Sequence, residues 1–332
     1  MADVARVAGV SVTTVSHVLN GTRPVSQAAT RRVRAAVERT GYVPNTLARS
    51  LARARTQSLG LAISGLANPY FTDVIAGVEA AAGRAGHTLL LAETREDPEQ
   101  ELRVVQALVQ RRVDGLVLAP SPGAADRALR YLAAQELPVV LLDRVADAGL
   151  DQVACESEEP TAGLVEHLAG RGHRRIGMVV GLAGLSTTEE RLRGYRLGLA
   201  RSGLPHDPAL VADGGSHRDR ARAAAHALLD LPAPPTALVS GNNFMTIGVL
   251  RALAERGLRV PEDVALVGFD DFDWADLLAP RLTVVAQPTG ELGRRAVELL
   301  LARLDDPRRP ARTVRLPATF VHRDSCGCGL AR

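Results

Sequence analysis

The chain has little of what staples or anchors a protein. Only three of its 332 residues are cysteine, Cys155, Cys326 and Cys328, and so sparse and odd a set excludes a disulfide framework. Cys326 and Cys328 stand close to His322, but a complete tetrahedral metal site needs a fourth donor at suitable spacing. The sequence therefore predicts a reduced tail, no metal and no cofactor. No apolar run reaches the roughly 18–20 residues that span a bilayer. Asp3 and Arg6 interrupt the N-terminus where a secretion signal would need an apolar stretch, so the expected compartment is the cytoplasm, associated with the nucleoid, and no membrane partner is expected. Also missing are a Gly-x-Ser-x-Gly elbow, a Gly-Lys phosphate loop and a Gly-x-Gly-x-x-Gly turn, so an enzyme is not expected.

What is present is an ordinary globular composition, 46% hydrophobic and 23% charged, over a length that calls for two or three folded units. The net charge of +3 is unevenly distributed. Residues 1–56 hold nine arginines against Asp3 and Glu38, a balance of +7, which leaves the remainder at −4. A small basic module on a mildly acidic body is the pattern of a polyanion-binding head, although a solvated basic surface would look the same by charge alone.

The head reads as short helices. Residues 3–8 form an opening helix with Val4, Ala5 and Ala8 on one face. Gly9-Val10-Ser11 breaks it, with Ser11 as the next N-cap. A second helix over 12–19 points Val15, Val18 and Leu19 inward and ends at Asn20-Gly21. A third runs from Ser26 to Gly41. Two short helices joined by a glycine-containing turn, plus a supporting helix, make a helix-turn-helix unit. The outer face of the second helix carries Thr13, Thr14, Ser16, His17 and Asn20, all suited to hydrogen bonding.

The stretches DVARVAGVSVTTVSHVLNG and VSQAATRRVRAAVERTGYVPNTLARSLA resemble, at nearly every position, the DNA-binding head of the lac repressor family. The resemblance implies that Val12, Thr13 and His17 face base edges in the major groove, while Thr14, Ser16, Asn20 and Ser26 hold phosphates. The family usually has Arg where this chain has His17; an Arg fork grips guanine and a neutral His does not, so a different half-site is expected. The segment from Pro44 to Ala52 is too short to be a stable helix alone. By the same resemblance it folds when two subunits meet on DNA. Asn45 caps it, Ala48 lets the paired helices approach, Leu51 wedges into the minor groove, and Arg53 and Arg55 meet phosphates.

Beyond Ser58 the period changes. Apolar runs at 59–63, 89–92, 115–119, 139–142, 176–180, 237–240 and 264–267 alternate with amphipathic stretches at 70–84, 99–110, 161–169, 189–201 and 242–256. Such alternation predicts an α/β body of doubly wound parallel sheets, with too many units for one sheet and hence two lobes. The motifs SGLANPYF, RRVDGLVLAP, PVVLLDR, EHLAGRGHRRIGMV, EERLRGY and VPEDVALVGFDDFDWADLLAPRLTVVAQP resemble the body of the same family, which is periplasmic-binding-protein-like. The expected divisions are a helix-turn-helix domain at 1–44, a hinge helix and linker at 45–57, an effector-binding and dimerisation domain at 58–325, and a tail at 326–332.

Ligands in open α/β sheets bind outside the carboxyl ends of the strands. The resemblance implies a pocket between the lobes lined by Tyr70, Phe71, Ser121, Asp143, Arg191, Asn242, Asp270 and Trp274. Carboxylates, amides and a guanidinium offer paired hydrogen bonds to vicinal hydroxyls, and aromatic faces suit the apolar side of a sugar ring. Asn68 is expected to cap the helix that begins at Pro69-Tyr70. Where the family usually has an aromatic near the start of the helix after Asp213, this chain has Gly214-Gly215-Ser216. The expected function is a homodimeric repressor of a near-palindromic double-stranded operator, controlled by a small effector of sugar type. A sugar-binding protein without specific DNA readout is the alternative.

Overall fold

Among the described residues, three helices build the N-terminal unit of the computed structural model: α1 (Ala2–Ala8), α2 (Val12–Asn20) and α3 (Gln27–Thr40). Val4, Ala5, Ala8, Val15, Val33 and Ala36 form its buried core, with Val18 and Leu19 packed at the edge. The apolar spacing sets this arrangement and the caps define its joints. Ser11 Oγ accepts from Thr14 N at 3.0 Å and Ser26 Oγ from Ala29 N at 3.3 Å. Gly9 and Gly21, at φ of 63° and 64°, end α1 and α2 in the left-handed conformation that a side chain resists. Each polar cap contributes about 1 kcal/mol, a large share for a module with so small a core. Residues 1–21, 23–42, 55–123 and 127–328 are described; Asn45, Ala48, Leu51 and Arg53 of the expected hinge lie outside them. The chain divides into Met1–Thr56 and Gln57–Arg332.

The second unit holds two six-stranded sheets. In lobe 1 the strand order is β11-β5-β4-β3-β1-β2, made by β1 (Ser58–Ile63), β2 (Thr88–Glu93), β3 (Gly115–Leu118), β4 (Val139–Leu142), β5 (Asp151–Cys155) and β11 (Thr313–Leu316), all parallel. In lobe 2 the order is β12-β10-β9-β8-β6-β7, from β6 (Ile176–Val180), β7 (Val211–Asp213), β8 (Ala237–Ser240), β9 (Ala265–Phe269), β10 (Thr283–Ala286) and β12 (Thr319–Val321), with only the β10–β12 pair antiparallel. The interior strands β3, β4, β6 and β9 carry only apolar residues and glycine because both faces of their sheets are covered. α4 (Pro69–Arg84) and α11 (Thr289–Asp305) pack on one face of the first sheet. α5 (Pro98–Gln110) and α6 (Ala128–Ala134) pack on the other. In lobe 2 the covering pairs are α7 (Glu158–Gly170) with α8 (Ser186–Arg201), and α9 (Arg218–Leu229) with α10 (Asn243–Glu255).

The chain passes between lobes three times, after Cys155, after Ala286 and after Leu316, so α11 and β11 return to complete lobe 1. α11 lies very close to α4: a Cβ at Gly293 would stand 2.6 Å from both Val74 O and Val78 N. The expected tail starting at residue 326 is revised. Cys326 is fully buried in the core of lobe 2, because Ser325 Oγ donates to Leu266 O at 2.6 Å and accepts from Thr283 N at 2.9 Å, sewing this segment to the sheet.

Candidate functional site

On the head, the outer face of α2 is the candidate groove reader. Val12 is 48% exposed despite being apolar, Thr13 is exposed, and Ser16 and His17 are half-buried. Thr14 Oγ1 lies 2.8 Å from Ser11 Oγ, so its hydroxyl is shared with the cap. Ser26, expected to hold a phosphate, has its hydroxyl engaged in capping α3. The side chain of Asn20 is outside the described set. Arg23, Arg31, Arg32, Arg34 and Arg39 are exposed on the same small unit, so the sequence's charge asymmetry is a surface property.

In the second unit a cavity of about 510 Å³ opens between the lobes, the size of a small-molecule pocket. In each sheet the chain winds to one side of its first strand and then to the other, and the cavity lies at the carboxyl ends beside that reversal. Asp143 follows β4 and Asp270 follows β9, equivalent positions in the two lobes. Both adopt left-handed backbone, at φ of 69° and 72°, a conformation Asp tolerates better than bulkier residues and one that clusters at functional sites. Tyr70 at the start of α4 donates its hydroxyl to Asp143 Oδ1 at 2.6 Å and lies 3.4 Å from Gln287 Oε1. Gln287 Nε2 donates to Asp270 Oδ1 at 2.6 Å. One polar chain thus runs from the carboxylate of one lobe to that of the other.

Arg191 of α8 is the opposing cation. Its Nη1 donates to Gly241 O at 2.6 Å, and its guanidinium sits 3.8 Å from the centre of the Phe269 ring. Its Nε is buried and has no hydrogen-bond partner among the described residues, an arrangement that costs free energy unless something polar arrives. Burial pushes the Asp270 carboxyl up, with Arg191 and Gln287 pulling it back, and burial beside Asp143 pushes the Tyr70 phenol well above its usual value. The lobes also touch directly. Asn243 Nδ2 donates to Asn68 Oδ1 at 2.7 Å, Val145 N to Ser186 Oγ at 3.0 Å, and Arg315 pairs with both oxygens of Glu190. Asn68 also caps α4, accepting from Tyr70 N at 3.0 Å.

Of the cleft residues expected from the sequence, Tyr70, Phe71, Asp143, Arg191, Asn242 and Asp270 line the cavity. Asn242 spends one acceptor capping α10 through Met245 N at 2.8 Å. Ser121 and Trp274 do not line it, which corrects their placement. Ser121 turns into lobe 1, where its backbone N–H donates to buried Glu101 at 2.6 Å. Trp274 packs on Phe272, ring centres 4.2 Å apart, and is 37% exposed. Gln287 was missed. Its signal is a polar side chain directly after the apolar run Thr283–Ala286, a strand end the sequence reading did not recognise.

With this geometry in place, comparison with known proteins is decisive. Residues 1–45 match the model of bacterial regulatory proteins of the lacI family, and residues 165–326 match a periplasmic binding protein-like domain. The ribose operon repressor of Escherichia coli (strain K12) is 34% identical over 329 residues, 98% of this chain and 99% of that one. The chain belongs to the lacI family. The regulator is also 34% identical, over 97% of both chains, to the repressor PurR of Photobacterium profundum. Its fold superposes on the lac repressor dimer bound to operator and the anti-inducer ONPF with a TM-score of 0.88, at 29% identity over 98% of each chain. It is therefore a DNA-binding transcription regulator with a helix-turn-helix head and a ligand-binding body. Among the described residues no helix is long and apolar enough to cross a membrane.

Proposed function

We propose that the regulator represses transcription as a cytoplasmic homodimer on a near-palindromic operator, and that a sugar or sugar-like polyol in the cleft sets its operator affinity. The observation that carries the ligand class is the trio of Asp143, Asp270 and Arg191, a carboxylate from each lobe facing a guanidinium with one unpartnered N–H. Carboxylates accept from vicinal hydroxyls, the free Nε donates to a ring or hydroxyl oxygen, and the faces of Phe71 and Phe244 in the lining suit the apolar side of a sugar ring.

The ligand controls DNA through its difference in affinity for two arrangements of the lobes, since equal affinity shifts nothing. A typical coupling of about 1–3 kcal/mol corresponds to roughly 5- to 150-fold in operator affinity. The contacts that a hinge motion changes are those already crossing the cleft: Asn68–Asn243, Val145–Ser186 and Glu190–Arg315. At the head, Val12, Thr13 and His17 read bases; Thr14, Ser16, Asn20 and Ser26 position the backbone, joined by the hinge residues Asn45, Ala48, Leu51 and Arg53.

The test is selection of the purified protein on random double-stranded DNA, repeated with a panel of sugars and nucleosides. A palindrome whose retention changes with one sugar is the expected result. Sequence-independent retention alongside tight sugar binding would replace this reading with a plain sugar-binding protein, and a response to nucleosides alone would overturn the polyol assignment.

A further inference from the structure

Four metal-binding side chains, three of them close in sequence and one far upstream, meet at one side of lobe 2. His167 lies in the last turn of α7, His322 directly follows β12, and Cys326 and Cys328 flank Gly327. Their ligand atoms all lie within 4.8 Å of one another. Cys328 Sγ is 3.4 Å from His167 Nε2, and the two imidazole rings are 5.2 Å apart, centre to centre. Around tetrahedral zinc, with bonds of about 2.3 Å to sulfur and 2.0 Å to nitrogen, neighbouring donor atoms stand roughly 3.3–3.8 Å apart. The Cys328–His167 edge already has that length, and no edge has to close by more than about 1.5 Å, within the reach of side-chain rotation.

We propose that His167, His322, Cys326 and Cys328 form a Cys₂His₂ site for a zinc ion. The sequence offers only three of these donors together; the fourth is 155 residues upstream of His322 and is brought in by the packing of α7 against the lobe 2 core.

The surroundings suit a fixed ion. Gly327, at φ of 81°, makes the turn between the two cysteines, and its N–H donates to Asp324 O at 2.9 Å. Ser325 ties the segment to the sheet, as described above. Arg171, one turn beyond His167, donates to Gly327 O at 3.0 Å and fixes the turn against α7. Two thiolates and two neutral imidazoles bring the ion to zero net charge, which lets Cys326 stay fully buried without a desolvated charge. Binding converts two thiols to thiolates and releases their two protons to solvent; no oxidant or reductant is needed. Four protein donors leave no open position, so the chemistry is structural rather than catalytic. The ion cross-links positions 167 and 328, holding the last turn of a central helix to the C-terminal segment, and its binding energy adds to the stability of the body.

The test uses the full-length protein, reduced and stripped with a chelator, then titrated with cobalt(II) as a spectroscopic stand-in and with zinc. The expected result is one ion per chain, with the intense visible bands of tetrahedral cobalt and thiolate-to-metal charge transfer, bleached by zinc, and a higher unfolding temperature with zinc. Cys328→Ser and His322→Gln, both at accessible positions, should each weaken zinc binding by at least 100-fold while retaining operator binding as a check of folding. Octahedral cobalt spectra, substoichiometric binding, or unchanged affinity in both variants would overturn the site. So would a Cys326–Cys328 disulfide in freshly purified protein, found as two thiols that alkylate in denaturant and chelator only after a reductant is added.

Discussion

The close approach of α11 to α4 makes Gly293→Ala a sharp test of the packing that seats the cleft. The added methyl would meet Val74 O and Val78 N at 2.6 Å and the carbonyl carbon of Gly77 at 2.9 Å. All three are backbone atoms of a regular helix, so none can turn aside, and the helices must separate by roughly 0.8 Å to reach ordinary contact. Overpacking of this kind costs about 1–3 kcal/mol, and rigid neighbours put it near the upper figure. Alanine returns up to about 1 kcal/mol through helix propensity. The net loss is about 2 kcal/mol, or roughly 4–8 °C in unfolding temperature for a body of this size. Gln287, which bridges Tyr70 and Asp270, lies two residues before α11, so effector affinity should fall with stability. Gly163→Ala is the matched control: it is exposed on α7, its Cβ would meet nothing within 4 Å, and the same propensity argument predicts a gain of about 0.5–1 kcal/mol. Thermal and urea unfolding of the three proteins decides the matter. If Gly293→Ala unfolds at or above the wild-type temperature while Gly163→Ala behaves as stated, the helices do not touch as described.

Three further expectations follow from the site residues. Asp270→Asn should lose effector binding by about 10²-fold, the cost of truncating a charged hydrogen bond, yet gain stability near neutral pH. The sign follows from burial: a carboxyl raised above 3.8 in the folded state holds its proton after the unfolded chain has lost it, so stability falls as pH rises from 3.8 through the raised value. The stability difference between Asn variant and wild type should therefore grow over that window, and a difference independent of pH would contradict it. Ser11→Ala removes the cap of α2 and should destabilise the head by about 1 kcal/mol, with weaker operator binding but unchanged base preference in a selection. His17→Arg should shift the preferred half-site toward guanine; identical base preferences would remove His17 from the groove.

Much of this fold could be read from apolar periodicity, and the exceptions have physical causes. β4, β6 and β8 have the limits their apolar runs imply, because strands buried on both faces carry no interrupting polar residue. β5, β7, β10, β11 and β12 escaped: β7, β11 and β12 are short, partly exposed edge strands, and β5 and β10 are short interior strands that open on the polar residues Asp151-Gln152 and Thr283. The strand-end rule located the cleft but not the direction of individual side chains. Asp143 and Asp270 point in from left-handed backbone, whereas Ser121, also past a strand end, is drawn inward through its own N–H by Glu101. His167 carried no local signal for its cysteine neighbours, since that proximity exists only after lobe 2 has closed around α7.

The three passages between lobes also order events in time. A ribosome releases the head before the body, since all the core residues of the head, from Val4 to Ala36, precede β1. Lobe 1 cannot be finished until α11 and β11 appear, nor lobe 2 until β12 and the segment through Cys326 have been made. At about 5–20 residues per second, the gap between a complete head and a complete body is roughly 15–50 s. Each newborn molecule passes through an interval in which its DNA-reading part exists and its sensor does not, and a stop codon between α11 and Ser325 would make that interval permanent.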